Sequence, residues 1–498
     1  MLRYVSTRDP EKSFLESHQT IVSGLAPDGG LYTPYPIGIF LDPRNLLGKS
    51  YRETAFEVMS KFLDDFDRDV LCRIIERAYG GKFDTPAVAP LRKAGDIYLL
   101  ELWHGPTSAF KDIALTVLPM LMTESFRMEG IRDTAFVLTA TSGDTGKAAL
   151  SGFADVPGTA VTVFYPEYGV SDIQKRQMQT SRGSNVNVIA VKGNFDDCQR
   201  MVKEASSDPR MRMEAARRHV RISSANSINV GRLVPQIVYY YKSYCDLVSD
   251  GVISCGDPVD YAVPTGNFGD ILAGFLAKYI GLPVRRLICA SNINNVLTDF
   301  LTTGVYTAKR PFHTTMSPSM DILVSSNLER LLFIESGGDS DMVTRCMNSL
   351  SETGRFSISP SLLSRIQDSF SGYYATEEQC SEEMRLMMSR NGVLIDPHTA
   401  VAVHAARESM RSSGEKVPCV VLSTASPFKF PVDVLRSVAG IEENDAFKAM
   451  DVLSEMTGER IPAGIDELRK LDTRFSGSVE PLMVKDAVIR SIEEIGHD

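Results

Sequence analysis

From Ile97 onward the chain alternates short continuous apolar runs with helical stretches, and nothing else in it limits the fold as tightly. The runs lie at 97–102, 134–139, 159–165, 186–191, 259–263, 286–290 and 419–423. A strand with one face in water would alternate polar and apolar residues. A continuous run instead fits a strand covered on both faces. Helical patterns at 147–154, 195–205, 230–248 and 271–279 supply the cover and the crossovers between parallel strands. We therefore expect an α/β fold of helix-covered, mainly parallel sheets. Residues 1–95 differ and read as a mostly helical domain, with a turn at Ala26-Pro27-Asp28-Gly29-Gly30 and helical periodicity from Tyr51 to Tyr79. The boundaries suggested are 1–95 for that domain, 96–260 for a small α/β domain, 261–440 for a large one interleaved with it, and 441–498 for a C-terminal helical cap. Residues 304–385 read as helices and loops without a clear register.

The 498 residues are 43% hydrophobic and 23% charged, a balance that supports ordinary cores. A formal charge of -10 leaves no basic excess to neutralise phosphates, which argues against nucleic-acid and anionic-membrane partners. No apolar run has membrane-spanning length, and residues 1–10 contain no apolar secretion core. The eight cysteines form no C-x-x-C pair, so no metal site is expected, and reduced thiols in a cytoplasmic protein are.

One lysine stands out. Trp103-His104-Gly105-Pro106-Thr107-Ser108-Ala109-Phe110-Lys111-Asp112 separates the first apolar run from a helix-forming stretch, which puts Lys111 in the first turn of a helix. The positive end of a helix and apolar neighbours both disfavour an ammonium there. A neutral amine suits Schiff-base chemistry. The ordinary alternative is a surface lysine whose stem lies along its helix.

Four polar segments weigh against that alternative, three of them directly after apolar strands, where α/β proteins bind ligands. Thr141-Ser142-Gly143-Asp144-Thr145-Gly146 sets hydroxyls and a glycine backbone at a helix start, an anion cradle. Gly146-Lys147 hints at a nucleotide P-loop, but Thr141 stands where the first glycine belongs and Ala148 where a hydroxyl belongs. In Gly266-Asn267-Phe268-Gly269-Asp270 the glycines let the backbone approach a phosphate, although plain strand-to-helix turns look similar. The run at 419–423 ends in hydroxyls; Thr424 or Ser426 can cap a turn or meet a heterocycle nitrogen. Finally, Asn226, Ser227 and Asn229 precede a helix that carries Arg232 one turn in, either a cap with a surface arginine or a phosphate-binding guanidinium.

In this order the segments resemble the threonine synthases, in the longer-chain branch found in bacteria and fungi. Tyr4-Val5-Ser6-Thr7-Arg8 and residues 24–32 are similar to the family's N-terminal domain, so the resemblance spans nearly the whole chain. It implies a fold-type II pyridoxal-phosphate lyase, tryptophan synthase beta-like, cytoplasmic, monomeric or homodimeric. Such an enzyme converts O-phospho-L-homoserine and water to L-threonine and phosphate. By the resemblance, Lys111 carries pyridoxal 5'-phosphate as a Schiff base and is the catalytic residue. Gly266, Asn267, Phe268, Gly269 and Asp270 hold the cofactor phosphate, and Thr424 contacts the pyridine nitrogen. Thr141, Ser142, Asp144 and Thr145 receive the substrate carboxylate. Asn226, Ser227, Asn229 and Arg232 complete the substrate site, with Arg232 and Lys147 as candidates for its phosphate. The chain departs from many members at Ser426, where they carry histidine. A related phospholyase yielding 2-oxobutyrate is the nearest alternative, and the retained Gly-Asn-Phe-Gly-Asp loop favours the synthase. A non-catalytic protein binding a phosphorylated metabolite would be expected to lose the lysine or the loops.

Overall fold

Two mainly parallel sheets, each clad in helices, bring loops from the carboxyl ends of their strands into contact. The computed structural model describes every position except 142, 169, 194 and 496–498. The larger sheet has six strands in the order Phe370–Tyr374, Val284–Ser291, Val259–Pro264, Cys419–Ser423, Ile97–Glu101 and Leu91–Ala94. All its pairs are parallel except the hairpin of the last two strands. The smaller sheet has five parallel strands in the order Ser478–Val479, Val186–Val191, Thr159–Pro166, Thr134–Ala140 and Val220–Ser223. Continuous apolar runs behave as expected: all eight residues of Thr159–Pro166 are buried. Helix Pro397–Ser413 covers one face of the larger sheet. Helix Val230–Ser249 is apolar on nearly every side because helices Tyr51–Phe62 and Gly269–Tyr279 enclose it.

The structure departs from the sequence reading in four places. The periodicity from Tyr51 to Tyr79 is two helices, Tyr51–Phe62 and Arg68–Tyr79, because the Asp67 carboxylate caps a new start. Within 304–385 lies the strand Phe370–Tyr374, which only Phe370 anchors in the core; as an edge strand it carries no apolar run. Strand Ile97–Glu101 belongs to the larger sheet, since the chain enters that sheet, leaves to build the smaller one, and returns at Val259–Pro264. Residues after 440 do not form one cap. Helix Ala446–Thr457 packs on Pro431–Ala439, whereas Ser478–Val479 and Val484–Ile495 join the smaller sheet and its helices. Among the described residues no helix is long and apolar enough to cross a membrane.

The N-terminal region pairs strand Tyr4–Ser6 with Tyr32–Pro34 and is bolted on by charge. Glu329 accepts from Thr7 Oγ1 (2.5 Å) and from Arg8 (2.7 and 2.8 Å). Its neighbour Arg330 is fully buried and donates to the carbonyls of Tyr32 (2.8 Å), Ser227 (3.0 Å) and Ile228, and to Asn327 Oδ1 (2.5 Å). One guanidinium thus joins the N-terminal strand, the segment before the long helix, and its own helix Leu328–Glu335. Arg330→Met should lower the unfolding free energy by about 3 kcal/mol, because three buried carbonyls lose their donor. Urea titration measures this, and a loss under about 1 kcal/mol would reduce Arg330 to the weight of a surface contact.

Candidate active site

Strands Ile97–Glu101, Cys419–Ser423 and Val259–Pro264 are parallel neighbours, so the segments leaving their carboxyl ends start side by side. Backbone bonds zip the first two together: Leu102 N to Ser423 O (2.9 Å), Phe110 N to Thr424 O (2.8 Å) and Ser426 N to Ser108 O (3.1 Å). Ser108 turns the lysine loop in a left-handed conformation (φ 56). Asp112 closes that loop by accepting from Thr107 N (2.8 Å) and Oγ1 (2.6 Å). Gly105 is needed beneath, since a Cβ there would lie 2.4 Å from Asp112 Cβ. Lys111 starts the short helix Lys111–Leu115 and is 8% exposed. Its Nζ reaches Asp144 Oδ2 and Ser319 Oγ, each at 3.4 Å. Burial lowers the lysine pKa; Asp144 opposes that shift, while Arg232 and Lys429 add to it.

The smaller sheet contributes the loop after Thr134–Ala140. Thr141 Oγ1 accepts from the N–H groups of Gly143 (3.0 Å) and Gly146 (2.9 Å) and so shapes the turn. Thr145 sits half-buried in the first turn of helix Asp144–Phe153, and Ser142 lies outside the described residues. The Asp144 carboxylate is turned toward cations, so an anion received by this loop would meet that residue through its backbone N–H and not its side chain. Burial alone would raise its pKa, but the ammonium groups of Lys429 and then Lys111 hold it far below the usual carboxylate range. Lys429 Nζ lies 2.5 Å from Asp144 Oδ1, and Gln174 Nε2 donates to the same oxygen at 2.8 Å. A second carboxylate would be repelled by Asp144, which leaves the loop's hydroxyls and backbone N–H groups to receive one.

The loop after Val259–Pro264 turns through Phe268 in a left-handed conformation (φ 62) into helix Gly269–Tyr279. A Cβ on Gly266 would sit 2.8 Å from the Ser319 carbonyl, and one on Gly269 would sit 3.0 Å from Ser227 Cβ. The Asn327 amide ties this loop to its neighbour by donating to Asn267 O and Ser227 Oγ, both at 2.9 Å. The Asp270 carboxylate faces tyrosines: Oδ1 accepts from the hydroxyls of Tyr239 and Tyr240. Burial pushes its pKa up to about 6 against those two bonds. Any phosphate contact by Asp270 therefore falls to its backbone N–H. Arg232 is buried, which lowers its pKa to about 10 despite Tyr239 and Asp270. Its Nη1 donates to Ala225 O (2.9 Å), while its Nε has no partner among the described residues.

Other expected residues serve the framework. Asn229 caps the long helix through Gly231 N (2.9 Å) and anchors the Ile21 carbonyl (3.1 Å), so both its polar ends are engaged. Asn226 Oδ1 accepts from Thr139 Oγ1 at 3.2 Å. Ser426 Oγ accepts from Phe428 N at 3.3 Å and caps a turn. Lys147 donates to Ser181 Oγ (3.3 Å), and burial lowers its pKa to about 8. Sequence reasoning missed Lys429, Ser319, Gln174 and Arg330. For Lys429 there was a signal: Pro427-Phe428-Lys429-Phe430 sets a lysine in an aromatic stretch just after a buried strand.

What these residues leave unfinished fits pyridoxal phosphate. There is a desolvated amine at Lys111 and a buried Thr424, whose carbonyl accepts from Phe110 N (2.8 Å) beside that lysine. A Cβ on Gly266 would collide with a backbone carbonyl, one on Gly269 would be tight, and Arg232 offers a buried unpartnered donor. An aldehyde-bearing heterocycle with a phosphate would complete all of these.

Comparison with known proteins gives the same picture. Residues 81–425 match the family described as pyridoxal-phosphate dependent enzyme, 3–79 match threonine synthase N terminus, and 399–478 match threonine synthase, C-terminal. The chain is 40% identical to threonine synthase of Pseudomonas aeruginosa over 90% of its own length and 92% of that protein. It is 39% identical to human threonine synthase-like 1 over 86% of its length, spanning 58% of that longer protein. Its fold is similar to the crystal structure of pyridoxal-phosphate-bound threonine synthase from Brucella melitensis, with a TM-score of 0.86, 37% identity and 99% of each chain covered.

Gly266→Ala should weaken pyridoxal phosphate binding about tenfold or more, because the new Cβ meets a backbone carbonyl that cannot rotate away. Absorbance titration reads this with far-ultraviolet circular dichroism unchanged, and undiminished affinity would mean that this loop does not hold the cofactor.

Proposed function

The chain belongs to the threonine synthase family, lyases that use pyridoxal phosphate, and on that premise we propose that it converts O-phospho-L-homoserine and water to L-threonine and phosphate in the cytoplasm. The observation that carries the reading is Lys111, an amine buried among charges where loops from both sheets meet. Pyridoxal phosphate, when bound, supplies the electron sink for charge developing beside the substrate amine. Lys111 anchors it, Gly266, Asn267, Phe268 and Gly269 hold its phosphate with the backbone of Asp270, and Thr424 meets its ring nitrogen. As a free amine, Lys111 moves the proton at Cα and then at Cβ, within reach of Asp144 and Ser319 at 3.4 Å.

Departure of the substrate phosphate needs a cation aimed at the leaving dianion. Arg232 fills that role, since its unpartnered Nε gains an acceptor only when an anion binds. Thr141, Ser142 and Thr145 receive the substrate carboxylate, while Asn226 and Ser227 shape the wall beside it. The loops close off water until phosphate leaves, so that water then adds at Cβ and not earlier.

Purified protein given O-phospho-L-homoserine should release phosphate and threonine in equal amounts, and Lys111→Ala should lose both. Phosphate with 2-oxobutyrate and no threonine would instead make the protein a phospholyase. Arg232→Gln should cut kcat/KM about a hundredfold in the same assay. An unchanged value would move the phosphate clamp to another cation.

A further inference from the structure

Lys429 has no part in the reading above, yet it is the least exposed lysine near Lys111, at 0%. A wholly buried ammonium is costly unless it is paired and hydrogen-bonded. Lys429 meets both conditions, with Asp144 Oδ1 at 2.5 Å and the Thr107 carbonyl at 3.0 Å. The two lysines therefore share one carboxylate, and Lys429 is the nearer partner, since Lys111 stands at 3.4 Å from the other oxygen.

We propose that Lys429 is a positioning residue: it gives Asp144 a second cation, so that Lys111 can shed its proton without leaving a buried carboxylate unpaired. The inference rests on Lys111 being the cofactor lysine. If Lys429 were absent, neutralising Lys111 would leave Asp144 with only neutral donors, Gln174 at 2.8 Å and Ser319 at 3.4 Å. An uncompensated buried charge is strongly disfavoured, so Lys111 would be pinned as an ammonium. With Lys429 in place the pair Asp144–Lys429 persists whichever state Lys111 adopts. The other charged and titratable groups around this trio are Asp112, Lys147, Arg232, Asp270 and His398. Of these, His398 is itself committed, with Nδ1 2.6 Å from Asp396 and Nε2 accepting from Ser319 N at 3.2 Å. Asp112 is spent on Thr107. Among the cations, Lys147 donates to Ser181 Oγ (3.3 Å) and Arg232 to Ala225 O (2.9 Å), so neither of them, nor His398, takes over as the second cation for Asp144.

The test is pulse labelling of the full-length, cofactor-free protein with acetic anhydride across pH, which modifies only unprotonated amines, with Lys111 read by peptide mass spectrometry. Protection of Lys111 by added pyridoxal phosphate checks the premise separately, and its absence would sink that premise and not the charge argument. Lys429→Met should raise the Lys111 labelling midpoint by about one pH unit, a tenfold loss of labelling on the acidic side. Lys429→Gln, which keeps a donor for Thr107, should shift it in the same direction and stands in if the methionine variant does not fold. The double variant Lys429→Met/Asp144→Asn should return the midpoint to that of the unmodified sequence, which a merely structural role for Lys429 would not do. Unshifted midpoints in the folded single variants, or a double variant that stays shifted, would overturn the proposal.

Discussion

A buried carboxylate stands at the joint between the two halves of this protein. Asp144 comes from the smaller sheet, Lys111 and Lys429 come from loops of the larger one, and their ion pairs cross between them. Low polarity makes that joint strong, and it also makes the charge balance exacting, since removing Asp144 leaves two buried lysines without their carboxylate. The joint ties the turn around Thr141 to the lysine loop and to the segment after Cys419–Ser423, which backbone bonds already zip to one another. Parallel strands deliver these loops to neighbouring positions; the charge cluster sets how they face one another.

A second buried charge does comparable work in the framework. Arg330 satisfies carbonyls from the N-terminal region and from the segment leading into the long helix, while Asn327 beside it braces the glycine loop. The N-terminal region is therefore built into the wall of the site. Gly274 adds a packing device, since its missing side chain admits the Tyr240 ring, whose hydroxyl then reaches Asp270. Each device braces a loop of the candidate site, and the tyrosine hydroxyls hold the Asp270 carboxylate.

Much of the fold was readable because it rests on continuous apolar runs and on loops whose composition is strange for mere connectors. Lys111, the turn at Thr141 and the glycines at 266 and 269 stand out for that reason. What could not be read was direction. Asp144 and Asp270 sit in the expected loops, but which way a carboxylate points depends on partners hundreds of residues away or on another helix. Asn229 caps a helix, and the sequence does not separate that role from ligand contact because both draw on the same residue types. Arg330 and Lys429 escaped notice because a buried charge announces itself only once its distant acceptors are known. The strand Phe370–Tyr374 was hidden because an edge position asks for no apolar run.

The short strand Ser478–Val479 lies beside Val186–Val191, with Ala190 N donating to Gly477 O (3.1 Å) and Lys192 N to Val479 O (2.9 Å). A parallel sheet with an open edge is a template for pairing with another chain. Here the molecule seals that edge with residues synthesised long after the strand they cover. During synthesis, then, the smaller sheet keeps an open, adhesive edge along Val186–Val191 until Ser478 and Val479 have emerged to cover it.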